Sequence, residues 1–237
     1  MSLLSLDIGN SAIKAFDHDK QQWRKLNDEG IPLQTGSQEI KHILYCSTRN
    51  KEQTESYLRK ISHCFLQAKI QSAAQLIAQK NFKIHYSETL GEDRLIAAYG
   101  AGQLYPDQNL LCLDMGTYTT VDLIQENEFH GGYIIPGHQL YFQTYHHSPV
   151  LKAFISDQIP TKLNHHFPQN SASAMNESYW RLLESFVFER PQISTLVLTG
   201  GHSLKYQALF AQKCKALNWH FHHQIELIHQ SMALLIK

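Results

Sequence analysis

The chain has few cysteines and no excess of charge of either sign. Its four cysteines, Cys46, Cys64, Cys112 and Cys214, form no Cys-x-x-Cys pair. This spacing predicts neither a disulfide scaffold nor a zinc knuckle, and it is typical of small core residues in a reducing compartment. Twenty-one Lys and Arg residues balance twenty-one Asp and Glu residues. The chain therefore has no basic surplus with which to bind nucleic acid non-specifically.

The sequence also lacks long apolar runs and low-complexity segments. Asp7 interrupts the apolar N-terminal stretch well before it reaches the length of a signal-peptide core. No later run approaches the ~18 residues of a membrane helix, so we expect a soluble, cytoplasmic protein with no membrane partner. Hydrophobic residues at 43% and charged residues at 18% exclude a disordered chain. A length of 237 residues allows one large domain or two small ones.

The most informative pattern is an internal repeat. Leu3–Asn10 aligns with Leu110–Thr117, and in both copies an apolar strand runs into Asp-x-Gly followed by a small polar residue. The two aspartates, Asp7 and Asp114, are 107 positions apart, close to half the chain. The repeat predicts a duplicated α/β unit, and we place the boundary in Pro106–Asn109, giving domains at 1–108 and 109–237.

Hydrophobic periodicity predicts alternating strands and helices. Each copy of the repeat reads as a hairpin, because a second β-rich run follows the glycine turn after a few residues. The predicted second strands are Ser11–Phe16 and Tyr118–Ile124, and a later strand is Thr195–Gly201, which ends in a glycine pair. The predicted helices are Thr54–Lys80, Ala174–Phe188 and Ser203–Leu217. The fold class is therefore α/β.

The turn after Asp7 has the residue types of a phosphate-binding loop. A glycine with small polar neighbours lets backbone N–H groups approach phosphate oxygens, a carboxylate at the strand end suits hydrated Mg²⁺, and Lys14 adds positive charge. An ordinary Asx turn, with Asp7 capping the backbone, is the alternative. The second copy at Asp114 favours the phosphate-binding interpretation, because two such hairpins would bracket a polyphosphate.

A second candidate site is Gly91–Arg94, just ahead of an Ala-rich helix start. The guanidinium of Arg94 can clamp a carboxylate or phosphate, while Asp93 accepts a proton from a hydroxyl. Acidic residues also favour helix N-termini through the macrodipole alone, so the sequence leaves both interpretations open.

Five motifs in fixed order resemble those of type III pantothenate kinases, which belong to the acetate/sugar kinase, heat-shock ATPase and actin superfamily. They are Asp-x-Gly-Asn-Ser at Asp7, Gly-x-Asp-Arg at Gly91, Asp-x-Gly-Thr-x-Thr-Thr at Asp114, Gly-Gly-x-Ile-x-Pro-Gly at Gly131 and Leu-Thr-Gly-Gly at Leu198. The resemblance spans residues 3 to about 201. No Walker-type Gly-x-x-x-x-Gly-Lys-Ser/Thr occurs, which excludes a P-loop kinase.

The resemblance implies two duplicated ribonuclease-H-like domains with ATP in the cleft between them, and ATP-dependent phosphorylation of pantothenate in the first step of coenzyme A synthesis. It also implies Mg²⁺ with ATP, a monovalent cation (potassium or ammonium) and a homodimer. The implied ATP-binding residues are Asp7, Ile8, Gly9, Asn10, Ser11, Ala12, Ile13, Lys14 and Thr117. The implied pantothenate-binding residues are Tyr86, Gly91, Glu92, Asp93, Arg94 and, from the neighbouring subunit, Ser171.

Individual roles also follow from the resemblance. Asp93 is implied to be the proton acceptor, Arg94 the partner of the pantothenate carboxylate and Asp114 the ligand of the monovalent cation. The chain departs from the family at Ser11, where threonine is usual, and at Tyr118, where alanine is usual. Two alternatives remain: another small-molecule kinase of the superfamily, and a non-catalytic accessory or regulatory protein on the same fold.

Overall fold

The chain forms two compact α/β units. The computed structural model describes residues 2–33, 39–155, 159, 166–190 and 192–236. The first unit takes the residues up to Leu104 together with those from Glu226 onward, and the second takes Tyr105–Ile225. The chain passes from the first unit to the second after Leu104, close to the boundary expected after residue 108. The residues from Glu226 onward, which were expected in the second domain, belong to the first unit.

The first unit is built on a five-stranded sheet. Its strands are β1 (Leu3–Ile8), β2 (Ile13–Asp17), β3 (Gln22–Trp23), β4 (His42–Ser47) and β5 (Lys69–Ser72). They lie in the order β3-β2-β1-β4-β5, with β1 antiparallel to β2 and parallel to β4. All six residues of β1 are buried, which agrees with its four apolar residues and the absence of an exposed polar face.

Helices α1 (Lys51–Cys64), α2 (Ala73–Ile77) and α3 (Glu92–Leu104) accompany this sheet. The single helix predicted over Thr54–Lys80 is wrong, because Lys69–Ser72 pairs with β4 as the edge strand β5 and separates α1 from the short α2. The apolar stripe that suggested one helix stops at Ala68, and its buried positions Tyr57 and Ile61 belong to α1. Cys64 is exposed, whereas the other three cysteines are buried.

The C-terminal helix α7 (Leu227–Leu234) packs against α3 and β1. The approach to α3 is close, because a Cβ at Gly100 would collide with the side chain of Ser231. The absence of a side chain at Gly100 therefore allows α3 and α7 to pack closely. Contacts with α3 and β1 are the physical reason that the residues after Glu226 belong to the first unit.

The second unit repeats the strand arrangement of the first. Its strands are β6 (Leu110–Met115), β7 (Tyr118–Gln125), β8 (Glu128–Pro136), β9 (Thr195–Thr199) and β10 (His220–His223). Their order is β10-β9-β6-β7-β8, with β6 antiparallel to β7 and parallel to β9. Both sheets thus place the five strands of a unit in the order third, second, first, fourth, fifth. The predicted duplication is confirmed.

Helices α4 (His138–Gln143), α5 (Ser171–Phe188) and α6 (Ser203–Ala216) belong to the second unit, with short 3-10 turns at Thr144–His147 and Leu151–Phe154. The long helices α5 and α6 confirm the predictions for these segments. The stripe of α5 buries Tyr179, Trp180 and Leu183 in the same core as β6 and β9. None of the helices in the described ranges is long and apolar enough to cross a bilayer.

A histidine on α7 is buried in the first unit. His229 Nδ1 lies 2.6 Å from Ser5 Oγ, which also lies 2.8 Å from His18 Nε2. The edge of the Trp23 ring system contacts His229 at 4.9 Å between centroids. Burial lowers the pKa of His229 to about 3, with smaller contributions from the charges of His18 and Lys14. The imidazole is therefore neutral in the folded protein at any ordinary pH.

Protonation of His229 should couple stability to pH. The unfolded chain binds this proton below a pKa of ~6.5, whereas the folded chain binds it only near pH 3. We therefore expect the free energy of unfolding to be fully retained above pH 6.5 and to fall below it, by up to about 1.4 kcal/mol per pH unit. Urea unfolding between pH 5 and 7 should show a shallower slope in His229→Gln. The exposed His63→Gln should keep the wild-type slope, and equal slopes in both variants would contradict the assignment.

Candidate functional site

In the first unit, the carboxylate of Asp7 lies between groups on both neighbouring strands. Asp7 faces Lys14 on β2 and Cys46 on β4. Lys14 Nζ lies 3.6 Å from one carboxylate oxygen, and Cys46 Sγ donates to the other at 3.5 Å. Burial raises the pKa of Asp7, the charge of Lys14 lowers it, and the nearby carboxylate of Asp93 raises it further. Its partners are thus side chains, and the Asx-turn alternative finds no support here.

The turn after Asp7 is tight and open to solvent. A Cβ on Gly9 would stand 2.8 Å from the carbonyl oxygen of Ala12, so only glycine fits there without a shift of the backbone. Asn10, Ser11 and Ala12 are exposed. An exposed turn of small residues beside a buried carboxylate has the shape expected of a phosphate-binding loop.

Gly91–Arg94 forms the start of α3 instead of preceding it, since the helix begins at Glu92. Asp93 Oδ1 accepts the backbone N–H of Arg94 at 2.8 Å, and a Cβ on Gly91 would stand 2.7 Å from that oxygen. Arg94 is buried, and its guanidinium carbon lies 5.1 Å from the centroid of the Tyr86 ring. Tyr86 and the motif therefore meet, although Tyr86 lies only five positions before Gly91.

Glu92 connects this motif to a segment that sequence reasoning missed. Its Oε2 accepts the backbone N–H of Ser47 at 2.8 Å. Burial raises the pKa of Glu92, the bond from Ser47 lowers it, and Asp93 raises it. Ser47 ends β4 and is followed by Thr48 and Arg49. A polar run between a buried strand and a helix N-cap is the signal that would have pointed to this segment.

The loop of the second unit lies between β6 and β7. Thr117 and Tyr118 are exposed, and Asp114 is partly buried near the end of β6. The N–H of Gly137 donates to the carbonyl oxygen of Thr117 at 3.0 Å. A Cβ on Gly137 would collide with the backbone of Gly116 and Thr117. Gly137 therefore lets the backbone after β8 pack closely against the loop between β6 and β7.

The glycine pair after β9 packs against the same loop. Gly200 has a φ of +91°, and a Cβ there would collide with the carboxylate of Asp114 and the backbone of Met115. The N–H of His202 donates to the carbonyl oxygen of Met115 at 2.9 Å. A cavity of about 360 Å³ opens beside this junction, lined by His138, Gln139, Phe142, Gln143, His146, Ile155, His202 and Lys205.

Ser171, the remaining predicted site residue, is the first residue of α5 in the second unit. It is exposed, and the side chain of Asn170 caps the helix by accepting the N–H of Ser173 at 2.9 Å. The first unit thus brings together Asp7, Asp93 and Arg94 with their neighbours, and the second unit joins Asp114 and Thr117. Ser171 lies on a different element from that loop.

Two units of one strand order, each with an acidic residue before a hairpin loop, define the duplicated α/β fold that sugar kinases share with actin. The family model for type III pantothenate kinase matches residues 3–187. The chain belongs to the type III pantothenate kinase family.

Individual proteins agree with this classification. A type III pantothenate kinase of Flavobacterium johnsoniae is 26% identical over 224 residues, which cover 84% of this chain and 85% of that protein. A crystal structure from Campylobacter jejuni, named as a Baf family transcriptional activator, has a TM-score of 0.65 and 23% identity over 98% of this chain and 96% of that one. A Sinorhizobium meliloti structure named as a 2-dehydro-3-deoxygalactonokinase has a TM-score of 0.58 at 10% identity, over 98% of this chain and 97% of that one. The two structures show the same fold.

The packing of Gly200 leads to a matched pair of substitutions. Gly200→Ala adds a Cβ where φ is +91° and where Asp114 and Met115 leave no space. We expect it to lower the free energy of unfolding by at least about 2 kcal/mol. Gly201→Ala meets no atom within 4 Å and should change it by about 0.5 kcal/mol or less. Urea unfolding of both variants checks this, and equal losses would contradict the role given to Gly200.

Proposed function

We propose that the protein transfers the γ-phosphoryl group of ATP to the primary hydroxyl of pantothenate, forming 4′-phosphopantothenate in the first step of coenzyme A synthesis. The observation that carries the proposal is the start of α3, where Asp93 and the buried Arg94 lie side by side with Tyr86 against the guanidinium. This arrangement supplies Arg94 for the carboxylate of a hydroxy acid and Asp93 for its hydroxyl group.

Arg94 and Asp93 divide the recognition of pantothenate. A buried guanidinium forms strong, bidentate bonds with a carboxylate, and Tyr86 covers its face. Asp93 Oδ1 accepts the backbone N–H of Arg94, which fixes the orientation of the Asp93 carboxylate at the start of α3. When the hydroxyl oxygen bonds to the γ-phosphorus, the bond to the ADP oxygen breaks and Asp93 takes the hydroxyl proton.

Phosphoryl transfer depends mainly on positioning and on neutralising charge. The exposed turn after Asp7 offers backbone N–H groups to phosphate oxygens, with Lys14 beside it. The loop that carries Thr117 offers a further hydroxyl group for phosphate oxygens. The carboxylate of Asp7 is an oxygen donor of the kind that Mg²⁺ prefers, and the ion would neutralise charge on the phosphates.

A monovalent cation, potassium or ammonium, is the further proposed requirement. Asp114 supplies an oxygen donor near the end of β6, where the backbone of Gly200 packs against its carboxylate. The family resemblance supports this role. We also place the protein in the cytoplasm, in keeping with its free cysteines.

The proposal is tested by coupled ADP release with pantothenate, ATP and Mg²⁺, in potassium and in sodium. We expect turnover that depends on pantothenate and is faster in potassium. Asp93→Asn should lower kcat by about 100-fold or more, because a general base is lost. The exposed Asp28→Asn is the matched control and should retain wild-type turnover.

Full activity of Asp93→Asn would contradict the base assignment, and no turnover in either salt would contradict the function. Thermal shifts then separate the alternatives, since a working site is stabilised by its ligands. A shift with ATP but not with pantothenate would favour another kinase of the superfamily. No shift with either ligand would favour an accessory protein.

We also propose that the protein is a homodimer in which Ser171 contacts pantothenate held by the other subunit. Ser171 is exposed on the first turn of α5, where its hydroxyl can reach a second molecule. The nearby Phe167 is 95% exposed. An exposed apolar side chain of this size is typical of an interaction surface.

The dimer is tested by mass and by a substitution on this surface. Light scattering after size exclusion should give twice the chain mass of 27.3 kDa. Ser171→Ala should raise the KM for pantothenate while leaving that for ATP unchanged, because only the acceptor loses a bond. Ser185→Ala, exposed on the same helix, is the control. A single-chain mass would contradict the proposal.

A further inference from the structure

The connection between β4 and α1 contacts both candidate segments of the first unit. It comprises Ser47–Asn50, and Asn50 is the N-cap of α1. Neither the repeat nor the five motifs include it. Its side chains and backbone form hydrogen bonds to the turn after Asp7 on one side and to the start of α3 on the other.

Three hydrogen bonds join the connection to the turn. The N–H of Thr48 donates to the carbonyl oxygen of Ile8 at 3.2 Å. Asn10 Nδ2 donates to the carbonyl oxygen of Thr48 at 3.3 Å. Arg49 Nε donates to the carbonyl oxygen of Gly9 at 3.0 Å. Because Gly9 opens the turn, the guanidinium fixes one end of the loop proposed to hold phosphate.

A separate set of bonds joins the connection to α3. The N–H of Ser47 donates to Glu92 Oε2 at 2.8 Å. Ser47 Oγ accepts the backbone N–H of Arg49 at 3.2 Å and lies 2.7 Å from Thr54 Oγ1. Ser47 therefore links Arg49, which is bonded to the turn, to Glu92 at the start of α3.

We propose that Arg49 and Glu92 are positioning residues for the phosphotransfer reaction, which link the phosphate-binding turn to the pantothenate-binding start of α3 through Ser47. This inference rests on the proposed function and adds to it a physical connection between the two substrates' binding segments. Reactants must be held within a fraction of an ångström of the productive geometry. A turn made of small exposed residues gains that rigidity from the connection.

The chemistry of the two side chains suits this role. Both bonds are charge-assisted, Arg49 as a donor and Glu92 as an acceptor, and such bonds exceed neutral ones in strength. Loss of one corresponds to roughly a tenfold effect or more on an equilibrium that depends on it. Lysine cannot replace Arg49, because it has no Nε and cannot present a planar donor edge to Gly9.

The test measures the KM for ATP, the KM for pantothenate and kcat in four variants. Arg49→Ala should raise the KM for ATP by roughly tenfold, and Glu92→Ala should raise the KM for both substrates. Glu92→Gln should give KM values between those of Glu92→Ala and the wild type, because its amide oxygen accepts the same N–H from Ser47 without the charge. The double variant Arg49→Ala/Glu92→Ala should show less than the product of the single effects, because both substitutions break one link.

Matched controls come from exposed positions nearby. Arg59→Ala on α1 and Glu88→Ala before α3 remove the same charges without touching the connection, and both should retain wild-type kinetics. The proposal would be overturned if Arg49→Ala had the same KM for ATP as Arg59→Ala. It would also be overturned if the effects of the two single substitutions multiplied in the double variant. If Arg49→Ala fails to fold, the comparison of Glu92→Ala with Glu92→Gln decides the question, and equal KM values in those two variants would overturn the proposal.

A nucleotide-binding readout separates this inference from the proposed function. The rise in melting temperature caused by ADP with Mg²⁺ should be smaller in Arg49→Ala than in Arg59→Ala. If the wild type does not phosphorylate pantothenate but this difference is found, the acceptor is wrong and the positioning role stands. If the wild type is active and the two shifts are equal, the positioning role is wrong.

Discussion

The buried carboxylate of Asp7 is the constraint on which the first unit's site depends. Its strand is enclosed by the sheet, so the carboxylate reaches the strand end with little water to solvate it. Lys14, Cys46 and the neighbouring Asp93 set its charge balance. A carboxylate held in this way costs free energy unless a cation or a hydrogen-bond donor compensates it. The surrounding turn, helix start and connection are arranged around that requirement.

Asp114 occupies the corresponding position of the second unit, where it is partly buried and its loop has different contacts. There the backbone of two glycine-bearing segments closes on the loop, through Gly137 and Gly200. The first unit instead uses side chains, with Arg49 and Glu92 as the cross-links. Duplication has therefore preserved the strand order while the two loops are fixed by different means. A chain with zero net charge can bind anionic substrates through a few placed groups such as Lys14 and Arg94.

The sequence predicted the features that depend on neighbouring residues. Both hairpins follow from local alternation and a glycine turn, and the repeat at Asp7 and Asp114 predicted two units of one strand order. The helix over Thr54–Lys80 failed because residues 69–72 are strand only when β4 lies beside them. Arg49 was missed for the same reason, since its partner Gly9 is 40 positions away. Long-range pairing leaves no periodic trace in the chain.

The packing of α7 also fixes the order in which the units can be completed during synthesis. The residues from Glu226 onward complete the first unit, and they emerge from the ribosome only after all of Tyr105–Ile225. The second unit is thus inserted in the sequence of the first, and it is fully synthesised while the first still lacks the helix that packs against Ser5 and Gly100. Domains usually mature from the N-terminus, whereas in this chain the unit that begins first is finished last.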